Sequence, residues 1–239
     1  MAQIARGVVV TVALTILTSV TSMLVGVVTA VGRHQGGRWF RRGSAAFVET
    51  FRNVPTLILL IFFAFAVPNL FPAGLRRTIF FQNVVMDGLG TLTTLAIPYY
   101  AVAAAIALTA NTGAHLAELL RSGMSAVPQQ RVDAARSLGA SSRRASVTVL
   151  VPDGIRVAFP GIVNRLVHNL KNTALVGFVA VPDAFQEIQG AITKTFQASG
   201  LLILAAVLYL ALATVLQFVL RRIEVGLWRG RRIDRTVDV

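Results

Sequence analysis

Five polar side chains, Asn164, His168, Lys171, Asn172 and Thr173, crowd a stretch of chain that is otherwise apolar. Amides, an imidazole, a hydroxyl and an ammonium can together hydrogen-bond a zwitterion, and the ammonium can pair with a carboxylate. Read as a helix at about 100° per residue with Asn164 at zero, His168 falls near 40°, Lys171 near 340°, Asn172 near 80°, Arg165 near 100° and Asn169 near 140°. Ile162, Leu166, Val167, Leu170 and Ala174 fill the opposite side. A polar face at membrane depth is costly toward lipid, so it must meet a water-filled path or a neighbouring subunit. Arg165 could also snorkel toward a headgroup. Lys171 stands about 21 Å along the helix from Val157, too deep for that, and is the strongest candidate for a path.

A second group carries contact chemistry. Asp133-Ala134-Ala135 is followed by Gly139 and, further on, by Val149-Leu150-Val151-Pro152. Two alanines let a short helix sit close in a partner's groove, an acid offers a charge-assisted contact, and a glycine permits a sharp change of direction. Taken alone, the triplet would equally suit a solvated surface helix.

Other chemistries lack their residues. There is no cysteine, so disulfides and thiolate ligands are excluded. His34, His115 and His168 show no metal-ligand spacing. No G-x-x-x-x-G-K-[ST] occurs to cradle phosphates, and neither G-x-S-x-G nor H-E-x-x-H is present for a membrane hydrolase. All ten acids lie at span ends or outside the uncharged runs, whereas ion-coupled carriers usually place acids at mid-membrane. Glu118 with Arg121, and Glu49 with Arg52, are spaced for local ion pairs on one helix face.

The elements that must position these groups are membrane spans. The chain is 55% hydrophobic, yet its 23 Lys plus Arg outnumber 10 Asp plus Glu for a net charge of +13. Nucleic acid would suit the charge, but a chain this apolar has nowhere in water to hide its surface, so lipid headgroups are the expected partner. Uncharged runs at 7–32, 53–75, 88–117 and 195–220 are each long enough to cross a core of roughly 30 Å. The first is too long for a secretory signal and reads as a retained span. The run 157–182, interrupted by Arg165 and Lys171, makes a fifth span.

With the amino terminus outside, Arg33, Arg38, Arg41, Arg42, Arg52, Arg121, Arg131, Arg136, Arg143, Arg144, Arg156 and the tail from Arg221 fall inside. Only Arg6, Arg76, Arg77 and Lys194 stay out. The positive-inside rule therefore predicts amino terminus out and carboxyl terminus in. The segment 121–156 is then a cytoplasmic loop, and its Ala, Arg and Leu content predicts short helices within it.

This loop resembles that of the inner-membrane permeases of binding-protein-dependent ABC importers. Their signature is Glu-Ala-Ala, three residues, Gly, nine residues, Ile-x-Leu-Pro, and Asp133, Ala134, Ala135, Gly139 and Pro152 stand at the same spacing. Ala117-Glu118 with Arg121 and Gly123, the stretch Glu49 to Pro55, and Lys171 to Leu175 look like the polar amino acid branch of histidine, glutamine and glutamate permeases. Gln129-Gln130-Arg131 departs from it, since that branch usually has a Gly-Gln pair before the acid.

The resemblance implies an all-α type I importer permease, one transmembrane domain over 1–239, with five spans. It implies a loop at 121–156 that docks an ABC ATPase, which binds ATP and Mg, so this chain needs no cofactor and is not itself an enzyme. It also implies a second permease subunit, an extracytoplasmic binding protein and an amino acid substrate, in the bacterial inner membrane. The lone cations Arg165 and Lys171 favour glutamine, glutamate or aspartate over cationic amino acids. An ion-coupled transporter and a membrane enzyme are the alternatives.

Overall fold

A computed structural model describes residues 2–77, 80 and 99–228, and all regular structure among the described residues is helical. The long helices are α1 (Ala2–Gln35), α2 (Arg38–Asn53), α3 (Thr56–Asn69, with a π-helical stretch at Phe62–Ala66) and, after the short α4 (Ala73–Arg76), α5 (Tyr99–Ser125). Then come α6 (Gln129–Ser137), α7 (Ser142–Ala145), α8 (Val151–Asn172), α9 (Ala184–Thr195) and α10 (Ala198–Trp228).

The centre of the bundle is α5, because its residues are small. Ala103, Ala104, Ala107, Gly113, Ala114 and Ala117 are buried and let other helices approach its backbone. α1 lies along it in the same direction. The Thr21 and Thr109 hydroxyls meet at 2.7 Å, Ser22 donates to the Thr109 carbonyl at 3.3 Å, and Arg33 reaches Glu118 at 3.0 Å. α1 turns Thr11, Thr15, Thr18 and Ser22 inward and leaves Ile16, Leu17, Val20, Leu24 and Val28 exposed, a polarity suited to surrounding lipid. Two of the buried hydroxyls are satisfied within the helix, Thr15 on the Thr11 carbonyl and Thr18 on that of Leu14, both at 2.7 Å.

α3 runs antiparallel to α5, with Thr56 donating to Asn111 at 3.2 Å and Tyr99 donating to the Phe63 carbonyl at 2.6 Å. α2 meets α3 at a bend of 108°. Pro55 causes it: the residue before a proline is driven out of the helical region, and Val54 takes φ −84°, ψ 130°. α8 returns antiparallel to α5, and the crossing is closest at Gly123 and Gly154, where a side chain at either position would strike backbone of the other helix or Met124.

Two apolar clusters fill the bundle. One gathers Leu14, Leu60, Ala107, Leu108, Val176 and Val179; the other gathers Ala30, Leu116, Leu120, Met124, Val132, Leu150 and Ile162. The second binds the loop helices to the spans. By length and composition, α1, the helical run Ser142–Val179 and α10 are each apolar enough to cross a membrane, and the bent pair α2–α3 makes a fourth candidate. α5, at 27 residues, covers part of the run expected at 88–117, whose residues 88–98 lie outside the described ones. The run expected at 53–75 is divided between α3 and α4, and those at 7–32 and 195–220 lie within α1 and α10.

Candidate functional site

The segment 121–156 is largely helical. α5 continues to Ser125, α6 and α7 follow, and a π-helical stretch at Ser146–Leu150 joins α7 to α8 without a break. Pro152 therefore sits in the first turn of α8 rather than at the end of a loop. Proline lacks the N–H that a continuous helix would use, and the wider π turn, with Val151 bonding back to Ser146, accommodates it.

α6 stands on one anchor. Val132 is buried and Ala135 half-buried, while Asp133, Ala134, Arg136 and Ser137 are exposed. The Gln129 amide donates to Asp133 at 3.0 Å, so the first turn is regular despite the Gln-Gln-Arg departure. The helix ends in a Schellman motif: Ala140 N–H bonds the Ala135 carbonyl at 3.1 Å and Gly139 N–H that of Arg136 at 2.9 Å. Gly139 takes φ +88°, which a residue with a side chain rarely adopts. The preceding Leu138 is left 90% exposed at the tip. Arg131 connects α6 to α8 through Asp153.

The polar face of α8 is divided. Asn164, His168 and Lys171, spanning about 340° to 40° on the wheel, are exposed. Arg165, Asn172 and Asn169, at about 80° to 140°, turn into the bundle, where Asn169 and Asn172 are buried. Thr173, just past the end of α8, is also buried and donates to the Leu170 carbonyl at 2.7 Å. The structure thus brings Asn164, His168 and Lys171 onto one open face and gives Asn172 and Thr173 internal partners.

Two asparagines organise that interior. Asn111 of α5 donates to the Phe51 carbonyl at 2.8 Å and accepts from Thr56 at 3.2 Å and from the Arg165 guanidinium. Asn172 reaches the same Thr56 hydroxyl at 3.4 Å. Asn169 accepts from Thr112 at 2.9 Å and donates to Thr18 at 2.8 Å, linking α1, α5 and α8. The two knots form a polar belt between the apolar clusters. Asn111 was not singled out by sequence reasoning, although a lone amide in an alanine-rich helix is a signal for a bundle contact.

Of the two local ion pairs expected from spacing, Glu118 with Arg121 forms at 2.6 Å and is joined by Arg33. Among the described residues Glu49 makes no ion pair with Arg52; its carboxylate instead accepts from Asn53 at 3.4 Å. Asn53 lies one full turn on, where it aligns better with Glu49 than the residue three positions away does.

A helical bundle whose long helices are apolar enough to cross a membrane, with a shorter helix protruding on one side, is the architecture of an integral membrane protein. The family model described as "Binding-protein-dependent transport system inner membrane component" matches residues 22–229, and the chain belongs to that family. It is 29% identical over 203 residues to the "Probable glutamine ABC transporter permease protein GlnM" of Bacillus subtilis (strain 168), covering 85% of this chain and 83% of that one. It is 30% identical over 221 residues to the "Histidine/lysine/arginine/ornithine transport system permease protein HisM" of Salmonella typhimurium, covering 91% and 87%. The fold matches a chain of the "Crystal structure of an amino acid ABC transporter with histidines" with a TM-score of 0.72 over 93% of each chain, at 23% identity.

Proposed function

We propose that this chain is one of two permease subunits in an ATP-driven importer that carries a polar amino acid of the glutamine, glutamate or aspartate type, handed over by an external binding protein. Its five spans are α1, α3, α5, α8 and α10, with the amino terminus outside and the carboxyl terminus in the cytoplasm. Two ATPase subunits, holding ATP and Mg, dock on α6. Asn164, His168 and Lys171 line the path or the seam with the second permease, with Asn172 and Thr173 behind them.

The observation that carries this reading is the tip of α6, where Ala134 and Leu138 stand bare while Val132 holds the helix to the spans. An apolar side chain exposed at the end of a rigid helix suits insertion into a cleft. Copurification tests it. The ATPase is expected to follow the tagged wild-type permease and to be lost from Leu138→Asp and Ala134→Asp, with both variants still present in the membrane. Retention of the ATPase by both variants would remove α6 as its docking element.

The substrate class rests on charge. Lys171 offers a carboxylate partner, and the acid on the same side of α8, Asp153, is far off in its first turn and paired with Arg131. The relatives' names include both glutamine and cationic amino acids, so uptake by the reconstituted complex with its binding protein decides between them.

A further inference from the structure

α2 differs from the other long helices in both composition and direction. Its sixteen residues, RWFRRGSAAFVETFRN, put Arg38, Arg41, Arg42 and Trp39 on one exposed arc, from about 300° through 0° to 100° with Arg38 at zero. Trp39 is 82% exposed, and the Arg42 guanidinium stands over its ring at 5.9 Å. The opposite side carries the buried Ser44 and Val48, with the Phe40 ring lying on Gly32 of α1 and on Gly36 just past its end.

The helix lies across the spans rather than along them. α3 follows α5 in antiparallel contact, and α2 is bent 108° from α3, so its axis is close to perpendicular to the bundle. Its depth is fixed at the α1 end: Phe40 rests on the two glycines flanking Arg33, and Arg33 is bonded to Glu118 near the end of α5 that leads into α6. α2 therefore lies at the charged end of the bundle, on the docking side.

A helix in this attitude, apolar inward and basic-aromatic outward, matches a membrane interface. Tryptophan prefers the headgroup level, and guanidinium forks match phosphate oxygens. Glu49, at about 20°, is the one acid on that arc, against four arginines, Arg52 near 320° included. We propose that α2 is a lipid-binding helix, whose Arg38, Arg41 and Arg42 hold the phosphates of anionic phospholipids in the leaflet on the docking side while Trp39 sits among the headgroups. The surface potential of an anionic leaflet favours each arginine by roughly fivefold. The other end of α2 offers the Phe51 carbonyl to Asn111, so this contact reaches the polar belt.

Quenching of tryptophan fluorescence by brominated lipids tests the proposal on the assembled complex. It would be reconstituted into vesicles containing either brominated phosphatidylglycerol or brominated phosphatidylcholine, and the signal of Trp39→Phe subtracted to isolate Trp39. Trp39 is expected to be quenched in both and severalfold more efficiently by the brominated phosphatidylglycerol, the preference fading in high salt. Arg38→Gln/Arg41→Gln/Arg42→Gln is expected to abolish the preference while Trp39 remains quenched, which also shows that the variant is folded and inserted. Absence of quenching by either lipid would mean that an ATPase or a second copy of this chain covers the face. Equal quenching by both in the wild type would mean apolar contact without headgroup recognition. Either result overturns the proposal.

Discussion

The Arg131 guanidinium lies 2.6 Å from the Asp153 carboxylate, joining the exposed helix α6 to the first turn of α8. α6 is the proposed docking surface and α8 carries Asn164, His168 and Lys171, so one ion pair connects the two regions that the proposal invokes. Arg156 approaches the same carboxylate at 3.8 Å. The continuous π turn between α7 and α8 supplies a second connection between the loop helices and α8.

Asp153→Asn keeps the shape and removes the charge. A partly exposed pair contributes about 0.2–1 kcal/mol, so substrate-stimulated ATP hydrolysis is expected to fall by no more than about fivefold. The exchange Arg131→Asp with Asp153→Arg should recover part of the loss. An unchanged stimulation in Asp153→Asn would show that the π turn alone carries the coupling.

The turn at Gly139 makes a sharper prediction. A side chain there meets no atom within 4 Å, so the penalty comes from φ +88° and not from a clash. Holding a residue other than glycine in such a region costs of order 1–3 kcal/mol. Gly139→Leu is expected to abolish transport while leaving the protein in the membrane, and Gly139→Asn to retain more activity because asparagine tolerates positive φ. Equal transport by the two variants would show that the backbone conformation at this position does not matter.

How far these features can be read from the chain differs by position. Ala134, Ala135 and Gly139 are legible because contact chemistry demands small residues at fixed spacing. Pro152 is legible as a landmark, but its place inside a helix depends on a π turn that no local residue announces. The α8 wheel separates polar from apolar correctly, yet periodicity carries no information on what stands opposite. Asn164 and Asn169 are alike in sequence and end on open and closed sides because Thr18 and Thr112 face only the second. The bend after α2 is foreshadowed by Pro55, though its angle follows from α5 holding α3 along its length.

Asn111 tests the polar belt. Replacing it with leucine keeps the bulk and leaves the Phe51 carbonyl, the Thr56 hydroxyl and Arg165 each without a partner they now have. An unsatisfied buried group costs about 1–3 kcal/mol, so a clear drop in the thermal midpoint of the purified complex is expected. Thr109→Val, which loses one contact between exchangeable hydroxyls, should lower it less. The reverse order would place the belt's weight on α1 rather than on the α2–α3 bend.

Orientation follows from where the arginines lie. Arg33, Arg38, Arg41, Arg42, Arg121, Arg131 and Arg136 sit at the end of the bundle that carries α6, the end that the positive-inside rule assigns to the cytoplasm in the proposed orientation. The chain has no cysteine, so a single introduced thiol reports its own side. In intact cells an impermeant reagent added outside is expected to label Gln197→Cys, beyond α9, and to spare Ser141→Cys, between α6 and α7. Labelling with the opposite pattern would invert the topology.

Lys171 provides the most direct test of substrate class. It is exposed on α8 beside His168 and Asn164, and the carboxylate on the same side of that helix, Asp153, lies about five turns away in the first turn and is paired with Arg131. An ammonium there attracts a substrate carboxylate and repels a cationic side chain, with little screening at span depth. Lys171→Ala is expected to reduce uptake of glutamine and glutamate by the reconstituted complex about ten- to a hundredfold, the loss of one charge-assisted hydrogen bond of roughly 1.5–3 kcal/mol. Lys171→Glu is expected to reduce it further and to improve uptake of arginine and lysine relative to glutamate. Titrating the binding protein separates its selectivity from that of the permease, because only the latter persists when the binding protein is saturating. Uptake unaffected by Lys171→Ala would move this residue from the path to the seam between permease subunits, and a wild-type preference for arginine or lysine would reverse the charge assignment.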